Sequence, residues 1–149
     1  MNARDLMTPD PAVVTPGDTV RRAAEVMRDQ GVGLVPVVDG SGRMHLRGVI
    51  TDRDVAVRCT AAGHGPGGLV GMYMTTQPLH TVAPGADVHE VMQAMKDDRV
   101  RRVLVTEGGR LVGIIAQADL ARREGPMEPV EVERVLERIS EPANALVHA

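Results

Sequence analysis

Val14-Thr15-Pro16-Gly17-Asp18-Thr19-Val20 recurs as Val82-Ala83-Pro84-Gly85-Ala86-Asp87-Val88, and this repetition decides the architecture. Ahead of each copy stands the same short leader, Met7-Thr8 and then Met74-Thr75. Behind each Pro-Gly turn runs an apolar stripe at helical spacing. In the first copy it is Val20, Ala23, Ala24 and Met27, and in the second Val88, Val91, Met92 and Met95. Asp18 or Thr19 can cap the first helix and Asp87 the second, since a short side-chain oxygen accepts from N–H groups that a first turn leaves unpaired.

Working outward, each stripe is followed by a short apolar run, Val32 to Asp39 and Val100 to Glu107. A Gly-containing turn comes next, Gly40 to Arg43 and Gly108 to Arg110, and then a second run, Leu46 to Thr51 and Leu111 to Ala116. Val- and Ile-rich runs joined by such turns read as hairpins. A helix closes each copy, over Asp52 to Ala62 and Gln117 to Arg123. The repeated unit is therefore a short strand, a helix, two strands and a helix, an α/β (α+β) pattern. Alone it buries too little surface to be stable, so two copies are expected to pack sheet to sheet around a pseudo-two-fold axis, with two related clefts at their boundary.

The reading divides the chain into repeat 1 at residues 1–62, a linker at 63–71, repeat 2 at 72–124, and a C-terminal helix and tail at 125–149. Gly63-His64-Gly65-Pro66-Gly67-Gly68 carries the linker; it lacks the Gly-Lys-Ser/Thr of a phosphate-binding loop and no strand runs into it. Between Pro129 and Ser140, Val132, Val135, Leu136 and Ile139 recur at helical spacing, a stripe expected to pack on this protein's own core or on a second subunit.

Composition narrows the function. Phe and Trp are absent and Tyr73 stands alone, so the core is aliphatic, with nine Met filling gaps. A net charge of -3 with both signs interspersed offers no basic footprint for nucleic acid, and there is no aromatic platform for stacking bases. The single Cys59 cannot close an intramolecular disulfide, and no apolar run approaches membrane-spanning length. A soluble, cytoplasmic protein is expected. His45, His64, His80, His89 and His148 show no metal-ligand spacing, Cys59 reads as a buried thiol, and no nucleophile motif is present, so neither a metal site nor an enzyme is expected.

One motif does carry chemistry. In Gly48-Val49-Ile50-Thr51-Asp52-Arg53-Asp54, a strand end meets a helix start, where unpaired N–H groups favour an anion. Gly48 lets another group approach the strand closely. Thr51 and Asp54 have the spacing of a capping box, yet an acceptor-only carboxylate also suits a diol. The residues alone leave both readings open. In the second copy the motif is Gly113-Ile114-Ile115-Ala116-Gln117-Ala118-Asp119, which keeps the carboxylate and drops the hydroxyl.

The Met-Thr leaders, the Val-x-Pro-Gly turns, Gly33 to Val37 and Gly48-Val49-Ile50-Thr51-x-x-Asp54, doubled from about Asp5 to Arg123, resemble the CBS domain family in its tandem, Bateman-module arrangement. Among stand-alone bacterial members the chain looks most like the hypoxic response protein type, through Val100 to Val105 and Arg110 to Arg122. The resemblance implies two β-α-β-β-α repeats plus a C-terminal helix, no catalysis, and a regulatory ligand of adenosine type: AMP, ADP or ATP, or else S-adenosylmethionine or NAD. It implies a cleft between the repeats in which Thr51 meets a phosphate and Asp54 the ribose, with the base against Val14, Leu34, Val35 and Pro36. Arg53, Arg101 and Arg102 are placed to approach phosphates, and Asp119 marks a second site weakened by Ala116. It further implies a homodimer and an effector protein as partners, with no required cofactor. The other reading of the same residues is a ligand-free structural or protein-interaction module in a stress response.

Overall fold

A computed structural model describes residues 1–98 and 101–122, so the helix expected at residues 129–140 lies outside the described residues. In chain order the elements are α1 (Ala3–Leu6), β1 (Thr8–Pro9), α2 (Val20–Gln30), β2 (Leu34–Val38), β3 (Leu46–Thr51), a π-helical segment (Asp54–Thr60), α3 (Val70–Tyr73), β4 (Thr81–Val82), α4 (Val88–Asp98), β5 (Arg102–Glu107), β6 (Arg110–Ala116) and α5 (Gln117–Arg122). The fold is α+β. Among the described residues no helix is long and apolar enough to cross a membrane.

The chain forms two units. The first holds Pro11–Leu79 and Gly109–Leu111; the second holds Met1–Asp10, His80–Gly108 and the described residues from Val112 on. Each leader thus folds with the body of the other repeat. Thr75 bridges Val49 on β3 in the first unit, while Thr8 pairs with Ile114 on β6 in the second.

In the first unit, β2 and β3 form an antiparallel hairpin with Leu34 opposite Thr51, Val35 opposite Ile50 and Pro36 opposite Val49. Side chains alternate between faces, and Val35, Val37 and Ile50 turn into a core with Val14, Val20, Ala23, Val26, Met27, Cys59, Val70 and Tyr73. Val14 lies parallel to β2, its N–H donating to the Pro36 carbonyl at 3.1 Å and its carbonyl accepting from Val38 at 2.9 Å. Proline, with no N–H of its own, is tolerated there as an acceptor.

Helix α2 starts as its sequence predicts, at Thr19, whose side chain accepts from the Arg22 N–H at 3.1 Å; Asp18 instead holds the preceding turn through the Thr15 N–H at 2.7 Å. The linker supplies two further caps, the carbonyls of Gly68 and Pro66 accepting from Val20 and Arg21 at 2.7 and 3.1 Å. The buried stripe differs from the expected one in a single position: Val26 is buried and Ala24 exposed. The two flank the stripe on opposite sides, and burying the larger Val removes more apolar surface from water.

The second unit carries a four-stranded sheet in the order β1-β6-β5-β4, with β4 parallel to β5 and β1 antiparallel to β6. Its core joins Ala3 and Leu6 to Val88, Val91, Met92, Met95, Val103, Val105, Ile115 and Leu120, so all four stripe residues predicted on α4 are buried. Asp87 caps α4 by accepting from the Glu90 N–H at 3.0 Å. Gly108 and Gly109, at φ 59° and 80°, form the turn between β5 and β6, a conformation glycine adopts without steric cost.

Candidate ligand-binding site

The turn from β3 into the π-helical segment is closed by a reciprocal pair. The Thr51 hydroxyl accepts from the Asp54 N–H at 3.0 Å, and the Asp54 carboxylate accepts from the Thr51 N–H at 3.0 Å. This satisfies two N–H groups that the start of a helix leaves unpaired. The segment that follows is wound with i to i+5 bonds, as in the Ala61 N–H to the Ala56 carbonyl at 2.9 Å. Such turns are rare and recur at functional sites. The hydroxyl of Thr51 acts here as acceptor, so its own proton is not consumed by this bond.

Asp54 is only 7% exposed and is the one buried charged residue among the described residues. A buried carboxylate needs partners, and two further groups supply them. The Thr75 hydroxyl straddles the carboxylate, 3.2 Å from each oxygen. The Arg58 guanidinium lies 3.6 Å from Oδ1 one helical turn on, and also donates to the backbone carbonyls of Tyr73 and Met74 at 3.4 and 3.1 Å. The helix after the motif is thereby clasped to the leader of the second repeat. Reading the sequence singled out neither Arg58 nor Thr75 for the site. The signal for Thr75 was present as the recurring Met-Thr pair.

Gly48 is the reason the leader can come so close. The Thr75 carbonyl accepts from Val49 at 2.9 Å and its N–H donates to the Val49 carbonyl at 2.7 Å. A β-carbon at residue 48 would fall 2.5 Å from that same carbonyl oxygen. The group admitted by the missing side chain is thus the protein's own backbone.

Of the four residues expected to face a base, Val14 and Val35 are each 1% exposed and belong to the core of the first unit. Leu34 and Pro36 lie on the opposite face of β2, cross-strand from Thr51 and Val49. That face therefore sets apolar side chains beside the Thr51 hydroxyl. Arg53 is exposed in the turn, where its N–H donates to the Asp52 carboxylate at 2.8 Å. Asp52 in turn lies over Gly33, where a β-carbon would meet its carboxylate at 2.9 Å.

The remaining candidates belong to the second unit. Asp119 repeats half of the reciprocal pair, accepting from the Ala116 N–H at 2.8 Å, and with Ala116 the hydroxyl half is missing. Arg101 is exposed just ahead of β5 and Arg102, half-buried, opens that strand; the Arg101 carbonyl accepts from Gln117 at 2.9 Å.

Cys59 is buried as expected, its thiol within 3.5 Å of the Gly65 carbonyl. Beside it the Tyr73 hydroxyl and His64 Nδ1 are 2.7 Å apart, and burial raises the tyrosine pKa above its ordinary value, with the neighbouring Cys59 adding to the shift. Among the described residues no group of three or more His, Cys, Asp or Glu is placed to hold a metal ion.

Comparison with known proteins agrees with this architecture. The profile of the CBS domain matches residues 3–59 and 70–125. Hypoxic response protein 1 of Mycobacterium tuberculosis is 34% identical over 120 residues, covering 80% of this chain and 82% of that protein. A crystal structure of hypoxic response protein I with two coordinated zinc ions superposes with a TM-score of 0.74 at 32% identity, over 84% of this chain and all of that one. CBSX2, crystallised in complex with AMP, superposes with a TM-score of 0.69 at 27% identity, over 81% of this chain and 93% of that one.

Proposed function

The chain belongs to the CBS domain family, with two copies of the domain, and we propose that it is a non-enzymatic sensor module whose Thr51–Asp54 turn receives an adenosine-type ligand. The observation that carries the reading is the reciprocal pair itself. Thr51 uses its oxygen as acceptor and retains a proton to donate to a phosphate oxygen, while Asp54 offers the acceptor-only group a ribose diol requires. Leu34, on the same face as Thr51, provides an aliphatic surface against which a base can lie. Arg53, exposed in the turn, adds positive charge for phosphates. The AMP complex of CBSX2 supports the choice of ligand class. Arg101, Arg102 and Asp119 are assigned to the second repeat's weaker counterpart of this site.

A ligand regulates only through unequal affinity for two states, and the clasp from Asp54 and Arg58 to residues 73–75 is the element a bound ligand would bias. In this reading the protein is cytoplasmic and homodimeric, and passes the ligand signal to an effector protein. Calorimetric titration with AMP, ADP, ATP, S-adenosylmethionine and NAD tests it, with Asp54→Ala as control. Saturable binding to the wild type that is lost in Asp54→Ala supports the reading. No binding at millimolar ligand sinks it in favour of a structural or protein-interaction module, in which Thr51, Asp54 and Thr75 serve only as a folded cap.

A further inference from the structure

We infer that the Thr75 hydroxyl is an internal stand-in for a ligand hydroxyl, and that the site selects ribonucleotides because only a vicinal diol displaces it. The inference rests on the reading that Asp54 receives the ribose of an adenosine-type ligand. Its basis is how the carboxylate is occupied. One oxygen of Asp54 takes the Thr51 N–H, a bond internal to the turn, the Arg58 guanidinium stands 3.6 Å from Oδ1, and the Thr75 hydroxyl lies 3.2 Å from both oxygens.

That geometry is a compromise. A single hydroxyl has one proton, so it straddles two acceptors without making a short bond to either, whereas hydroxyl–carboxylate bonds made one to one shorten to about 2.5–2.7 Å. A diol brings two protons and gives each oxygen its own donor. A ligand with one hydroxyl, or none, offers Asp54 no more than Thr75 already does.

Thr75 is held close by its strand pairing to Val49 and by Arg58 on the neighbouring carbonyls. The competitor is therefore always present, at an effective concentration set by its tether rather than by dilution. Its displacement need only rotate a side chain, since the backbone bonds to Val49 do not involve the hydroxyl. Ligand entry would then free one of the contacts by which the helix after the motif holds the second leader.

The test titrates AMP and 2′,3′-dideoxy-AMP into wild type, Thr75→Val and Thr75→Ser. Removing the competitor should tighten AMP binding about tenfold, the loss of one hydrogen bond to a charged group that must otherwise be broken. The dideoxy analogue, which never displaces Thr75, should gain nothing, and Thr75→Ser should restore the wild-type AMP affinity. Equal AMP affinity in wild type and Thr75→Val, or an equal gain for both nucleotides, overturns the inference while leaving the ligand reading intact. Absence of AMP binding in every variant overturns the inference, and absence of binding by ADP, ATP, S-adenosylmethionine and NAD as well overturns both. Should Thr75→Val fail to fold, the wild type answers alone: the Thr75 methyl resonance should shift on saturation with AMP and stay in place with the dideoxy analogue, and an unmoved signal with bound AMP refutes the displacement.

Discussion

The carbonyl oxygen of Thr75 stands 2.5 Å from the point where a β-carbon on Gly48 would begin. Real side chains do not tolerate that distance to backbone, so Gly48→Ala must push the leader off β3 and stretch both bonds between Thr75 and Val49. The expected cost is about 1–3 kcal/mol, the range for forcing an extra methyl into a packed site. Gly17→Ala is the control, because a β-carbon there meets nothing within 4 Å. Urea unfolding midpoints compare the two, and an unchanged midpoint in Gly48→Ala would mean the leader does not rest on β3.

Thr51 and Asp54 should behave as one unit. Thr51→Ala removes the acceptor for the Asp54 N–H and is expected to cost about 1 kcal/mol, as for other lost caps. Asp54→Ala is expected to cost more, about 1–3 kcal/mol. It strips the Thr51 N–H and the Thr75 hydroxyl of an acceptor inside a buried turn and leaves Arg58 without its carboxylate. Because both substitutions break the same pair, their effects should sum to more than the double variant loses, by about 0.5 kcal/mol or more. Strict additivity in denaturant unfolding would separate the two residues.

The repeat pattern carried much of this structure on its face. The hairpins at residues 34–51 and 102–116, the Thr19 and Asp87 caps and the α4 stripe all follow from local periodicity and short-range hydrogen bonding. What periodicity does not encode is partner choice. A four-residue helix such as α1 or α3 has too few residues to state which body it packs on, and each leader in fact joins the other repeat's body. For the same reason periodicity does not place Thr75 beside Asp54. Arg58 lies at i+4 and could have been paired from spacing, but Thr75 reaches the carboxylate from 21 residues away. Val14 and Val35 show the converse limit: an apolar residue near a motif reads equally well as ligand surface or as core, and both are core-buried at 1% exposure.

Tyr73 offers a clean optical probe, since the chain has no Trp and no other Tyr. Burial at 5% exposure raises its pKa, so phenolate absorbance should appear only above the ordinary phenol value of about 10. The folded protein holds this proton more tightly than the unfolded chain does. Its contribution to stability is therefore complete below the unfolded pKa and is lost as pH rises through the folded one. Spectrophotometric titration should show a single transition displaced upward, returning to the ordinary value in denaturant. A folded-state transition at the ordinary value would mean the ring is solvated and the contact with His64 is not made.

The two repeats differ where it matters for stoichiometry, and Ala116→Thr tests that difference. At residue 116 the backbone already matches its counterpart, with the Ala116 N–H donating to Asp119 at 2.8 Å as Thr51 donates to Asp54 at 3.0 Å. What is absent is the hydroxyl that, in the proposed reading, donates to a phosphate. Such a bond to a charged oxygen contributes about 1.5–3 kcal/mol, or about ten- to a hundredfold in affinity, enough to hide a second site in an ordinary titration. The wild type should then bind AMP with one detectable site per chain, and Ala116→Thr should bring a second into range. The control is Ala116→Val, which has the same shape and no hydroxyl and should leave the stoichiometry at one. A second site that appears equally in both variants would trace the gain to packing rather than to the hydroxyl, and would remove the reason for ranking Thr51 above Ala116.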